Sequence, residues 1–157
     1  MPTHAEDEWS IWTREAADEY GTTTRRPRDI LYLDLELVRF NCRMGGIEVL
    51  AGTHLDIAQE SQPIKVCTHY EKHGETASYQ AGLRYQREVD PQYIELPGWD
   101  GELAAQARSF EELPENAQKY LAFVQRMTGV PIVVATNGPK RESLIPLPGY
   151  DYQVQNN

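Results

Sequence analysis

Three threonines and three arginines stand within one short segment of the chain, residues 21–28. Guanidiniums bind carboxylates and phosphates through two parallel hydrogen bonds, and threonine hydroxyls and loop amides supply further donors. Pro27 fixes its own φ angle and restricts Arg26, so the segment is partly preorganised. The segment therefore predicts either a site for an anionic small molecule or a solvated basic linker. Its arginines are Arg25, Arg26 and Arg28.

A second candidate is an aspartate that follows a short predicted strand, in the run Thr53-His54-Leu55-Asp56. A carboxylate at such a junction can accept two hydrogens from the edge of guanine, one from the ring N–H and one from the exocyclic amine. An aspartate in a turn also commonly accepts hydrogen bonds from nearby backbone amides. Asp56 is therefore predicted to be either a base-recognition residue or a turn residue.

A third candidate follows the apolar run at residues 132–135, which has the composition of a buried strand. The next residues are Thr136-Asn137-Gly138-Pro139. In open α/β sheets ligands bind beyond the carboxyl ends of strands, where glycine allows close approach to the backbone. Asn-Gly is also a common turn signal, so both interpretations stay open.

Other reactive residue types do not form a recognisable pattern. His69 and His73 lie in a segment of strand period, where they would be about 13 Å apart on one face, too far for one metal ion. Cys42 and Cys67 belong to no ligand motif and are predicted to be buried thiols in a reducing compartment. The sequence has no G-x-x-x-x-G-K-[ST] phosphate loop and no nucleophilic serine or cysteine arrangement.

The composition is that of a globular protein, with 157 residues, 40% hydrophobic and 25% charged. A net charge of −9 disfavours nucleic acid and anionic membrane as partners. No apolar run approaches the length of a membrane span, and the polar N-terminus is unlike a secretion signal. The expected location is the cytoplasm.

Two helices are predicted in the first third of the chain. Residues 5–18 are polar and free of Gly and Pro, with two tryptophans at helical spacing. A second helix is predicted over residues 30–44, ended by Gly45-Gly46. Its expected apolar stripe is Leu33, Leu37, Phe40 and Met44.

The remaining residues predict alternating strands and helices. Ser109 and Glu112 fit a capping box that opens a short helical turn, and Pro114 leads a longer helix that ends at Gly129. This alternation favours a layered α/β fold over residues 1–145, followed by a loose tail at 146–157. The expected strands are residues 47–51, 64–71, 93–96, 132–135 and 144–145.

Several collinear segments resemble the C-terminal third of adenylosuccinate synthetases. The first of them, Glu19-Tyr20-Gly21-Thr22-Thr23-Thr24, is followed by Arg26-Pro27-Arg28. Further segments are Ile64-Lys65-Val66-Cys67-Thr68-His69-Tyr70-Glu71, Glu95-Leu96-Pro97-Gly98-Trp99, residues 108–120 and residues 129–139. Because they occur in register along nearly the whole chain up to Ile145, they are far more specific together than any one of them.

The resemblance implies an α/β fold with a partial, mainly parallel sheet flanked by helices. It also implies a ligase of purine nucleotide biosynthesis, on the route to AMP, that works as a homodimer. With GTP and Mg²⁺, such enzymes phosphorylate the 6-oxygen of IMP, and the amine of L-aspartate then displaces the phosphate to give adenylosuccinate. By the same resemblance, the aspartate and IMP loop would contain Thr22, Thr23, Thr24, Arg26 and Arg28. The GTP-binding residues would be Arg28, His54, Leu55, Asp56, Thr136, Asn137 and Gly138.

The sequence departs from the family at a few positions in these segments. The family usually has Gly where Arg25 stands, Lys where His54 stands and Arg where Asp29 stands. It also has a Gly-Trp pair where Leu31-Tyr32 stand. The catalytic aspartate and histidine of the family, its glycine-rich phosphate loop and its Mg²⁺ ligands lie upstream of the segments matched here, so no catalytic or metal-binding residue is assigned.

Three hypotheses follow from the sequence. The chain supplies the aspartate loop and guanine pocket of a synthetase and needs an N-terminal portion for catalysis, so the isolated chain is expected to turn over nothing. Alternatively, it is a non-catalytic truncated or degenerate copy that binds weakly or associates with an intact synthetase. A third possibility is a solvated α/β domain with an interaction role.

Overall fold

A computed structural model describes residues 1–149, which form an α/β fold of five α-helices and seven strands. The order is α1 (Glu8–Ala16), β1 (Leu33–Asp34), α2 (Leu35–Gly45), β2 (Leu50–Gly52), β3 (Ile64–Lys72), β4 (Glu75–Ala77), α3 (Leu83–Gln86), β5 (Asp90–Leu96), α4 (Gly101–Gln106), α5 (Glu115–Thr128), β6 (Ile132–Thr136), a 3₁₀ turn (Arg141–Ser143) and β7 (Leu144–Pro146).

The strands form two small mixed sheets. In the first sheet β3 pairs with β1 in parallel and with β4 and β5 in antiparallel orientation. In the second sheet β6 pairs with β2 in parallel and with β7 in antiparallel orientation. The expected α/β class is confirmed, and the parallel pairings within the described residues are β1 with β3 and β2 with β6.

One apolar core joins both sheets to helices α2, α4 and α5. It is centred on fully buried side chains from each layer, which include Leu35 of α2, Val66 of β3, Leu121 of α5 and Ala135 of β6. Because these residues come from positions far apart in sequence, the two sheets are held together by side-chain packing rather than by strand pairing. A second, smaller cluster surrounds Cys67, Tyr70 and Val89.

Helix α2 begins later than the sequence pattern indicates. Leu33 pairs with Val66 in the first sheet, and the Asp34 carboxylate then accepts a hydrogen bond of 3.0 Å from the amide of Leu37. A side-chain acceptor at this position is a strong helix start, so the prediction of a helix from residue 30 was wrong. The expected apolar stripe was also wrong at Met44, which is 73% exposed.

The short helix α4 was not predicted from the sequence. It is capped by Asp100, whose carboxylate accepts a hydrogen bond from the amide of Leu103. The prediction that Glu112 pairs with Ser109 in a capping box was wrong. Glu112 accepts instead from the amide of Arg108, at 2.7 Å, and the segment up to Pro114 forms turns.

Both cysteines are buried, as the sequence predicted. Burial raises the pKa of the Cys67 thiol to about 12, so this thiol stays protonated at neutral pH.

The end of the chain was predicted to be a loose tail from residue 146. Pro146 closes β7, and the buried Leu147 donates its amide to the carbonyl of Val133 at 2.9 Å. Residues 150–157 of that predicted tail lie outside the described residues. No helix within residues 1–149 combines the length and the apolar character needed to cross a bilayer.

Candidate functional site

The threonine- and arginine-rich loop at residues 21–28 is closed by its own backbone. Tyr20 and Pro27 form an isolated antiparallel bridge, and the amide of Gly21 donates to the carbonyl of Arg26 at 2.8 Å. The amide of Arg25 donates to the carbonyl of Gly21, also at 2.8 Å. These bonds hold the exposed Thr22, Thr23 and Thr24 in one compact turn.

The three arginines of this loop have different surroundings. Arg28 forms an ion pair of 2.8 Å with Glu19. Arg25 forms one of 3.0 Å with Asp18, and its guanidinium lies 5.2 Å from the centre of the Tyr20 ring. Within residues 1–149 the side chain of Arg26 makes neither an ion pair nor a hydrogen bond. Arg26 is therefore the guanidinium of this loop that is available to an external anion.

The segment from Thr53 to Asp56 is anchored through its buried leucine. Leu55 is 1% exposed, its amide donates to the carbonyl of Thr136 at 3.1 Å, and its carbonyl accepts from the Trp99 ring nitrogen at 2.7 Å. His54 just before it has a φ of 61°, in the left-handed region. This anchoring sets the positions of His54 and Asp56 on either side of Leu55.

A cavity of about 620 Å³ brings two of the predicted segments together. His54 and Asp56, which follow β2, line it together with Thr136 and Gly138, which follow β6. Because β2 and β6 are parallel neighbours, their carboxyl ends meet at one edge of the sheet. We call this the second cavity, and we call its neighbour, which is described below, the first cavity.

One oxygen of Asp56, Oδ1, is buried and has no hydrogen-bond partner within residues 1–149. A buried carboxylate oxygen without a donor carries a desolvation cost of about 1–3 kcal/mol or more. The carboxylate of Asp56, a residue that lines the second cavity, therefore keeps unused acceptor capacity within residues 1–149.

The side chain of Asn137 is directed away from the second cavity. It is 2% exposed, and its amide nitrogen donates to the carbonyls of Ala104 and Ala107 at the end of α4, at 2.6 and 2.9 Å. Asn137 thus ties the loop after β6 to helix α4, and its neighbours Thr136 and Gly138 line the cavity.

A first cavity, of about 420 Å³, lies beside the second one. Its walls include the aromatic residues Trp9, Trp12, Trp99 and Tyr120 and the polar residues Glu19 and Arg28. Leu55 lines it as well, and His54 lines both cavities. Of the residues predicted to bind GTP, Arg28 and Leu55 therefore border the first cavity, and Asp56, Thr136 and Gly138 border the second.

Glu19 was not singled out as a functional residue from the sequence. Its sequence signals are its place at the start of a segment that resembles the family and its acidic character, two residues before the basic loop. In the structure its carboxylate pairs with Arg28 and lies 4.0 Å from the ring nitrogen Nε2 of His54. It thereby touches both predicted recognition segments.

The two histidines of the central hairpin lie apart from these cavities. The ring of His69 forms a hydrogen bond of 3.0 Å with the hydroxyl of Thr68, and His73 occupies the turn between β3 and β4 with a φ of 56°. Among the described residues no group of three or more His, Cys, Asp or Glu side chains is arranged to hold a metal ion.

Arg25 adopts a left-handed backbone conformation, with a φ of 51°. For a residue with a Cβ this conformation costs roughly 1–2 kcal/mol, and glycine adopts it freely. We therefore expect Arg25→Gly to be tolerated. The strain that it relieves offsets the loss of an exposed ion pair, worth about 0–1 kcal/mol, and the higher chain entropy of glycine when unfolded. By contrast, Arg25→Val loses the ion pair and adds the further strain of a β-branched side chain at positive φ, so it is expected to cost about 2 kcal/mol.

Urea denaturation of the two variants measures this difference. The same two substitutions at Arg26, which does not have a positive φ, provide the control and should show no preference for glycine. Equal stability of Arg25→Gly and Arg25→Val would contradict the left-handed conformation of the loop.

The comparisons with known proteins agree on one family. The family model described as adenylosuccinate synthetase matches residues 1–145. The adenylosuccinate synthetase of Lysinibacillus sphaericus is 42% identical over 143 residues, which is 90% of this chain and 33% of that protein. That of Caldicellulosiruptor bescii is 39% identical over 146 residues, 92% of this chain and 34% of that protein. The solved structure of a fully ligated adenylosuccinate synthetase from Plasmodium falciparum matches with a TM-score of 0.87 and 29% identity, over 94% of this chain and 36% of that one. The chain spans about a third of the length of these relatives.

Proposed function

The chain belongs to the adenylosuccinate synthetase family, and from this premise we propose that it supplies the substrate-recognition portion of such an enzyme. The proposed reaction converts IMP, L-aspartate and GTP into adenylosuccinate, GDP and phosphate. The observation that carries the proposal is the second cavity, which Asp56 and Thr136 line from two distant segments of the chain.

In this proposal the loop at residues 21–28 binds the carboxylates of aspartate close to IMP. Arg26 is the gripping residue, because its guanidinium is exposed and unpaired within the described residues. Thr22, Thr23 and Thr24 supply hydroxyl donors on the same turn. Arg28 extends from the base of the loop, where it borders the first cavity, toward GTP.

The second cavity is proposed to receive the guanine of GTP. The carboxylate of Asp56 would accept hydrogens from the base, and Thr136 and Gly138 line the same cavity. His54 stands at the border of both cavities, where it would lie near the nucleotide. Leu55 and Asn137 would stabilise this pocket through their hydrogen bonds to the Trp99 ring nitrogen and to a carbonyl of α4.

The described residues do not fit a Mg²⁺ site, because no three carboxylates or histidines converge. Mg²⁺ and the phosphates of GTP would therefore be held by an N-terminal portion. The catalytic groups are proposed to come from that portion too. The full assembly would be a cytoplasmic homodimer, with no role for nucleic acid or membrane.

Split-enzyme complementation tests the proposed function. The N-terminal two thirds of the Lysinibacillus sphaericus relative would be co-expressed with this chain, and adenylosuccinate formation followed by chromatography. We expect formation that requires GTP and aspartate. A matched sample with the C-terminal third of that relative shows that the split itself is tolerated. Activity in this control and none with the present chain would refute the proposal and favour a non-catalytic copy that only associates.

A substitution at Asp56 tests the guanine pocket. Asp56→Asn replaces an acceptor by a donor at the exocyclic amine, so we expect the KM for GTP in the complemented enzyme to rise about 10- to 100-fold, which corresponds to about 1.4–3 kcal/mol. The preference for GTP over inosine triphosphate, which lacks that amine, should collapse. Asp90→Asn, an exposed carboxylate at the start of β5 that lines neither cavity, is the control. An unchanged nucleotide preference in Asp56→Asn would show that the base is bound elsewhere.

A further inference from the structure

Glu19 lies between the two segments to which nucleotide recognition is assigned. Its carboxylate oxygen Oε2 accepts a hydrogen bond of 2.8 Å from Arg28, and its other oxygen, Oε1, lies 4.0 Å from Nε2 of His54. Because different oxygens face the two partners, both contacts exist at the same time. The second distance is too long for a direct hydrogen bond, and this contact is an ion pair only when the imidazole is protonated.

The ion pair of Arg28 is less exposed than the ion pair of Arg25, and it is supported by more hydrogen bonds. The Glu19 side chain is 25% exposed, whereas that of Asp18, which pairs with Arg25, is 73% exposed. The backbone adds two further bonds, since the amide of Arg28 donates to the carbonyl of Glu19 and the carbonyl of Arg28 accepts from the Arg14 side chain. A less exposed pair is screened less by water and salt, so the Glu19–Arg28 contact orients its guanidinium more effectively.

We propose that Glu19 is a positioning residue that fixes Arg28 and His54 relative to each other. The inference rests on the proposed function, because it is nucleotide recognition by these two residues that would depend on Glu19. By holding Arg28 at the border of the first cavity, Glu19 also leaves Arg26 as the unpaired arginine of the loop. One carboxylate thereby links the substrate loop to the base-recognition segment.

Titration of the full chain with GTP, followed by NMR, tests this inference. In the wild-type chain we expect GTP to shift the amide signals of Asp56 and Gly138. In Glu19→Gln the affinity should fall about tenfold, because the charge-assisted bond to Arg28 is weakened. Glu19→Asp keeps the charge and should restore part of the affinity.

Glu15→Gln is the matched control, since Glu15 lies near the end of α1, four residues before Glu19, and its carboxylate accepts from the hydroxyl of Tyr20 instead of from Arg28. A readout without ligand is the rotation of the Arg28 guanidinium about its Nε–Cζ bond, which should be faster in Glu19→Gln and unchanged in Glu15→Gln. A positioning role also predicts that Glu19→Gln and His54→Ala are not additive in their effect on GTP affinity.

The outcomes separate the two proposals. If GTP shifts no signal of the wild-type chain, the proposed guanine site fails, and the role of Glu19 fails with it. If the wild-type chain responds and Glu19→Gln binds GTP equally well, only the role of Glu19 is overturned. Faster Arg28 rotation with unchanged GTP affinity would show that Glu19 is structural and would overturn the positioning role.

Discussion

Replacing Arg26 with alanine is expected to raise the KM for aspartate in the complemented enzyme by about 10- to 100-fold. A bidentate bond between a guanidinium and a carboxylate contributes about 1.5–3 kcal/mol, and the alanine variant loses it entirely. Since the Arg26 side chain makes no hydrogen bond or ion pair within residues 1–149, its truncation breaks no such bond of the fold. The free energy of unfolding should therefore stay the same, which separates a binding defect from a folding defect.

Initial rates at varied aspartate concentration measure this effect. Arg26→Lys keeps the charge but not the fork of donors, so its KM should lie between those of the wild type and Arg26→Ala. Arg87→Ala removes another exposed arginine, just after α3, and should leave the KM unchanged. An unaltered KM for aspartate in Arg26→Ala would mean that another group binds the carboxylate.

Replacing Asp34 with alanine is expected to lower the free energy of unfolding by about 3–5 kcal/mol. Asp34 is 5% exposed and caps helix α2 by accepting from the amide of Leu37. It also accepts from the buried hydroxyl of Tyr70 and, at 3.4 Å, from that of Thr3. The loss combines the cap, about 1 kcal/mol, with buried hydroxyls left without an acceptor, about 1–3 kcal/mol each.

Urea denaturation of the variant gives the magnitude, and Asp100→Ala gives the control. Asp100 caps α4 in the same way but is exposed and has no buried hydroxyl partner, so its loss should be close to 1 kcal/mol. Burial, followed by the hydrogen bond to Asp34, raises the pKa of Tyr70, so its hydroxyl stays a donor throughout the neutral range. Equal losses in Asp34→Ala and Asp100→Ala would show that the Thr3 and Tyr70 contacts add no stability.

The effect of Asp34 extends beyond α2. β1, which ends at Asp34, pairs with β3 and begins with Leu33, a wall residue of the first cavity. The Asp34 network therefore fixes the strand that leads away from the basic loop. In the complemented enzyme we expect Asp34→Ala to lose activity together with thermal stability, unlike Arg26→Ala.

Elements with strong local signals were predicted well from the sequence. The alternation at residues 64–71 and the β-branched run at 132–135 correspond to β3 and β6, which extend one residue further at Lys72 and Thr136. Helix α5 begins just after Pro114 and ends at Gly129, which has a φ of 72°. In each case the period of apolar residues and the residue that ends the element agree, so local preference and tertiary packing favour the same structure.

Where local preference and tertiary packing disagree, contacts between residues far apart in sequence set the bounds of the element. The apolar spacing of residues 30–44 predicts one continuous helix, yet Leu33 gains a strand partner in Val66 and Asp34 becomes a cap. Glu36 is buried because Arg39 and the amide of Tyr79 satisfy its carboxylate, a compensation that no local pattern reveals. Periodicity reports one face of a helix but not which distant residue covers it.

The sequence by itself determined the family and the α/β class, and it indicated the segments proposed for substrate recognition, because each is carried by residue types in a fixed order along the chain. Only the tertiary structure decided how the segments are combined. Parallel pairing of β2 with β6 brings Asp56 to Thr136, the Glu19 carboxylate holds Arg28, and Asn137 turns toward α4. The physical reason is that hydrogen bonds and cavities depend on distances between residues far apart in sequence, which are fixed when the apolar core packs.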